Sequence, residues 1–80
     1  MKEVLLSIIK CLVDNKAAVS IVQVQSSSEF VFEINVDPKD VGKVIGKSGS
    51  NASAIRTIVT SIARKHGKGA IVRFNDNKEN

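Results

Sequence analysis

The sequence predicts a two-layer α+β domain with the element order α-β-β-α-α-β: a three-stranded sheet with helices on one face. Three observations predict it. Residues 3–14 and the run after Gly49 carry apolar side chains at helical spacing. Val19 to Val36 holds two segments of strand character joined by three serines. A short apolar segment, 70–74, then closes the order after Gly67. The length agrees, since 80 residues give one domain with a core near the lower limit for independent stability. The domain is expected over 1–75, with 76–80 as a frayed polar tail.

Each element has its own warrant. Leu5, Ile8, Ile9 and Leu12 form one stripe of the first helix, opposite Glu3, Ser7, Lys10 and Asp14. Val4, Leu6, Cys11 and Val13 widen the apolar arc, with Cys11 as a small apolar filler. Val19 to Gln25 is rich in β-branched residues. After Ser26-Ser27-Ser28, Phe30, Phe32, Ile34 and Val36 alternate with Val31, Glu33 and Asn35, the period of a half-buried strand. The two strands form an antiparallel hairpin. Asp37 is the N-cap of a helix that opens on Pro38, where the missing N–H costs nothing. Gly42 and Gly46 hold that helix to a turn or two. In the following helix, Ile55, Ile58, Val59 and Ile62 make the apolar stripe, bordered by Ala52 and Ala63, and Gly67 stops it.

Composition narrows the function. Hydrophobic residues make up 42% and charged ones 25%, the values of a soluble globular protein. No apolar run approaches the ~20 residues that span a bilayer. Acidic Glu3 and Asp14 bracket the first helix, the wrong flanks for a signal peptide. A single cysteine needs no oxidising compartment, so a cytoplasmic protein is expected. The net charge of +4 hides an asymmetry. From Lys39 to Arg73 there are eight basic residues against one acid, Asp40, whereas the rest of the chain is net acidic. Charge concentrated in this way is the footprint of a polyanion partner.

At the centre of the basic segment stands Val41-Gly42-Lys43-Val44-Ile45-Gly46-Lys47-Ser48-Gly49. A Gly-x-x-Gly turn at the mouth of a helix lets backbone N–H groups approach phosphates with no Cβ in the way. Lys47 adds charge at the same place. A nucleotide-binding P-loop is excluded by spacing: it needs four residues before Gly-Lys-Ser, and Gly42 and Gly46 enclose three. A purely structural turn between helices needs only one left-handed glycine, and this loop exceeds that need.

Val44-Ile45-Gly46-Lys47-Ser48-Gly49, followed by Ala52, Ile55-Arg56 and Ile58, resembles the signature of the KH domain, a module that binds RNA and single-stranded DNA. The hairpin before the loop and the single strand after it resemble the prokaryotic, type II arrangement. At this length the chain is similar to the small stand-alone bacterial KH proteins of the KhpA family. The resemblance implies that Gly46 and Gly49 admit the sugar-phosphate backbone of about four nucleotides, with Lys47 and Ser48 contributing an ammonium and a hydroxyl. Ile45 and Ile55, with Ile34, would line a groove for bases, and Lys43 and Arg56 would make outer phosphate contacts. Ala52 stands where eukaryotic KH domains carry a larger aliphatic, which leaves the groove shallower.

The expected function is therefore binding of single-stranded RNA, and the resemblance implies an RNA-chaperone or post-transcriptional role. It also implies links to cell shape and cell-wall biogenesis, self-association, and a second KH-containing protein as partner. Three phenylalanines, with no tyrosine or tryptophan, leave too few aromatics for a stacking platform. No enzyme, cofactor or metal is expected: the lone His66 sits at a helix end, far in sequence from Cys11. The competing reading is a protein-interaction module that dimerises through the loop-helix surface, its RNA affinity incidental.

Overall fold

The computed structural model describes residues 2–75, so the expected polar tail lies outside the described residues. The elements are α1 (Lys2–Leu12), β1 (Ser20–Gln25), β2 (Glu29–Asn35), α2 (Val41–Ile45), α3 (Ser50–Lys65) and β3 (Gly69–Asn75). Single 3-10 turns cover Lys16–Ala18, Pro38–Asp40 and Lys47–Gly49. This is the α-β-β-α-α-β order.

β2 is the central strand. It pairs antiparallel with β1, Ile21 opposite Ile34, and parallel with β3, Phe32 opposite Val72. Side chains alternate across a sheet, so this register puts Ile21, Phe30, Phe32, Ile34 and Val72 on one face. All five are buried, in one cluster with Leu5 and Ile9 of α1, Val44 of α2, and Ile55, Val59 and Ala63 of α3. The helices therefore share one face of the sheet. Fully burying a side chain of this size contributes about 1.5–3 kcal/mol. Across the sheet, Val22 and Val24 stay exposed.

The short helix starts as its sequence dictates. The Asp37 carboxylate accepts from the Lys39 N–H at 2.9 Å, with Pro38 in the first turn. α1 ends two residues earlier than the apolar pattern suggests. After Leu12 the chain turns so that the Asn15 N–H donates to Asp40 Oδ2 at 3.0 Å, and the Asn15 amide to Asp37 Oδ2 at 3.0 Å. These bonds join the end of α1 to the start of α2. Asp40 is buried, and the first of these bonds, from the Asn15 N–H, gives its carboxylate a partner.

Two readings of helix faces need correction. Cys11 is exposed, so it fills no part of the core. The buried stripe of α3 is Ala52, Ile55, Val59 and Ala63, while Ile58 is 42% exposed. Ala63 belongs to the core cluster with the sheet residues, where its small side chain lets the helix pack closely. Weighting positions by hydrophobicity draws the stripe towards the larger isoleucines.

Candidate nucleic-acid interface

The site is built where α2 stops and α3 starts. α2 ends on Gly46, whose N–H donates to the Gly42 carbonyl at 2.8 Å. Gly46 has φ +81° and ψ 171°, a conformation open essentially to glycine alone. Space closes the position a second time. A Cβ on Gly46 would lie 2.8 Å from Asn51 Cγ and 2.9 Å from the Asn51 backbone nitrogen. Gly49 is left-handed too, at φ +77°, but a Cβ there would meet nothing within 4 Å. Ser48 between them also lies at positive φ, +56°. The Gly49 N–H closes the turn on the Gly46 carbonyl at 3.1 Å.

This path leaves Lys47 and Ser48 exposed at the tip. It delivers the chain into a helix of 16 residues that has no side-chain cap. The N–H groups of a first helical turn lack intrahelical partners, and the helix dipole makes that end positive. The Ser50 N–H is taken up by the Lys47 carbonyl, and the positive helix end beside the Lys47 ammonium suits an anion.

Asn51 is a supporting residue that pattern reading misses. Its side-chain amide donates to the Lys43 carbonyl at 2.9 Å, satisfying one of the last carbonyls of α2. It thereby ties the helices on either side of the loop to each other. An asparagine in a first helical turn is too ordinary in sequence to signal this role.

The other candidate residues divide. Ile45 is half-buried at the end of α2, beside the loop. Ile55 is 2% exposed and Ile34 is 1% exposed, so both belong to the core. Arg56 is exposed on α3, its guanidinium carbon 5.3 Å from the centroid of the Phe74 ring. That distance is within cation–π range. Lys43 turns away from the loop. Its ammonium is held by the Asp14 carboxylate and lies 3.7 Å from Asp40 Oδ1. The bond to Asp14, helped by the nearby carboxylate charges, raises its pKa above the usual lysine value. Asp40 is lowered, chiefly by the Asn15 N–H, and Asp37 chiefly by the Asn15 amide.

Electrostatics then separates two surfaces. A concavity of about 500 Å³ at the α1–α2 junction is lined by Asp14, Asp37 and Asp40 along with Asn15, Lys39 and Lys43. Three carboxylates make it a poor seat for a polyanion. Loop and α3 carry Lys47, Arg56, Arg64 and Lys65 with no acidic residue at all. None of these four cations has an ion pair among the described residues. His66 stands edge-on to Phe30 at 6.2 Å. Among the described residues no cluster of histidine, cysteine or carboxylate side chains could hold a metal ion. None of the helices is long and apolar enough to cross a membrane.

The sequence model of the KhpA/KhpB KH domain matches residues 2–74. The chain belongs to this KH-domain family. Curated relatives agree along most of their length, from 83% to 99% in the three that follow. The RNA-binding protein KhpA of Aquifex aeolicus is 43% identical over 74 residues, 92% of this chain and 94% of the relative. That of Caldanaerobacter subterraneus is 44% identical over 92% of this chain and 99% of its own. The protein of the same name from Chlamydia trachomatis is 42% identical over 65 residues. No solved structure matches the chain. The Gly46–Gly49 turn has the Gly-x-x-Gly spacing and joins α2 to α3.

Proposed function

We propose that this chain, as one domain over 1–75, binds single-stranded RNA by clamping its sugar-phosphate backbone on the Gly46–Gly49 turn. The observation that carries the reading is the turn itself: positive φ at Gly46, Ser48 and Gly49, opening on a helix end without a side-chain cap beside Lys47, which has no ion pair among the described residues. Gly46 and Gly49 admit the backbone, Lys47 supplies the charge, the Ser48 hydroxyl supplies a donor, and the positive end of α3 favours the phosphate. Ile45 borders the bases. Ile55 supports the groove from within the core, and Arg56 takes an outer phosphate. Lys43 contributes only once its bond to Asp14 is exchanged for a phosphate. The names of the relatives, RNA-binding protein KhpA, support this reading. A weak, sequence-tolerant clamp of this kind suits an RNA chaperone or post-transcriptional regulator in the cytoplasm.

Changing Lys47 and Ser48 together to Asp puts two negative charges into the turn. Fluorescence anisotropy with labelled oligouridylate should then show at least a tenfold loss of affinity; unchanged binding sinks the loop assignment.

One observation favours the second reading, dimerisation through the loop-helix surface. Ile58 is 42% exposed on α3, where a large aliphatic is open to a partner surface. If that surface pairs with a second copy or another KH domain, Ile58→Glu should shift sedimentation towards the monomer while RNA affinity per site holds.

A further inference from the structure

Beyond the loop, α3 carries a feature that a four-nucleotide clamp uses only at its near end, Arg56. Arg56, Thr57, Thr60, Ser61 and Arg64 line one shallow groove of about 270 Å³ along the helix. Arg56, Thr60 and Arg64 follow one another at i, i+4, i+8, so they form a continuous ridge. At 1.5 Å per residue the ridge runs about 12 Å, starting about 10 Å past Gly49. The groove thus begins within reach of the loop and leads away from it.

Its composition is not that of an ordinary solvated face. An exposed helical surface gains from Glu, Lys or Gln and from opposite charges at i, i+4. Here the groove positions hold exposed Thr57 and Ser61 and half-buried Thr60, which are poorer helix formers, and α3 has no acidic residue to pair with its arginines. Short hydroxyl side chains leave the groove open between the two guanidiniums, and each can donate a hydrogen bond. Arginine presents a planar fork that matches a phosphate, and Arg56 is already placed by its contact with Phe74. Two forks separated by hydroxyls, with no ion pair to a carboxylate among the described residues, suit successive phosphates of one strand.

We propose that this groove is a second phosphate track: a strand held at the Gly46–Gly49 turn continues along α3 and is bound at Arg56, Thr60 and Arg64. The inference rests on the RNA-binding reading above and lengthens its footprint past the four nucleotides of the loop. The track touches backbone only, so it adds affinity without sequence preference.

The experiment compares tetra-, octa- and dodecauridylate by anisotropy, at low salt and across a salt series, with wild type and Arg64→Gln. The octamer should bind wild type severalfold more tightly than the tetramer does. Arg64→Gln should remove most of that gain and leave the tetramer within twofold of wild type. The salt slope for the octamer should fall by roughly 0.7 in the variant, one phosphate contact on a single strand. Thr60→Glu, which puts a carboxylate in mid-groove, should abolish the gain, with an unchanged melting curve as the check on folding. An equal length gain and equal slope in Arg64→Gln overturn the track while the loop reading stands. If wild type binds no oligomer even at low salt, the RNA reading fails and the track falls with it. A variant that alters sedimentation but not the length gain assigns the groove to protein contact and overturns the proposal.

Discussion

At the scale of single residues, the two glycines of the loop are unequal. Both have positive φ, which costs a non-glycine residue about 1–2 kcal/mol. Only at Gly46 does a side chain also collide, and the neighbour is Asn51 backbone as well as side chain. Gly49→Ala should therefore cost about 1 kcal/mol of stability, and Gly46→Ala clearly more, about 2–3 kcal/mol. Urea denaturation of the two variants checks the order, and equal losses would mean that Asn51 moves aside freely. The Gly-x-x-Gly spacing was legible because it is a local pattern with a local cause. The Asn51 bond to the Lys43 carbonyl was not, because it spans eight residues and depends on how two helices meet. Lys43 teaches the same lesson. In sequence it is a cation beside the loop; in the fold its ammonium belongs to Asp14, 29 residues away.

At the scale of elements, the alternation of β2 and the start at Asp37-Pro38 could be read directly, since each follows from a local period or a local cap. Helix faces were less secure. Ile55, Ile58, Val59 and Ile62 give a plausible stripe, yet the helix is rotated so that Ala52 and Ala63 are buried and Ile58 is not. Periodicity gives the existence of an apolar face, and close packing sets its centre. The contrast is measurable. Ile55→Ala should cost about 2–5 kcal/mol, as buried large-to-small changes do. Ile58→Ala should stay within about 0.5 kcal/mol in the monomer, as an exposed position does. Comparable losses at both sites would contradict the orientation of α3.

For the whole molecule, charge is divided between two surfaces, and pH and salt should address them separately. The acidic junction of α1 with α2 depends on Asp37 and Asp40, whose pKa values lie below the ordinary 3.8. Their contribution is present above that value and is lost as pH falls through the lower folded values. Lys43 lies above its ordinary 10.5, so its contribution is complete below that value and is lost as pH rises through the higher folded one. Melting temperature should accordingly be level through neutral pH and fall at both extremes. Asp40→Asn should flatten the acid limb, and an unchanged limb would show that the junction carries none of it. The basic surface of loop and α3 should respond to salt instead. An excess of cations over one stretch of sequence was legible; which of them were already paired was a property of the fold.

The central claim is that the Gly46–Gly49 turn holds a nucleic-acid backbone. Its most direct test is the affinity for single-stranded oligouridylate measured across a salt series, with wild type and the Lys47→Asp, Ser48→Asp double variant. A clamp on about four nucleotides should give a log–log slope of about −2 to −3 in wild type, at roughly −0.7 per phosphate. The double variant should bind at least tenfold more weakly at low salt, with a shallower slope. Equal affinity and equal slope in the two proteins would contradict the account.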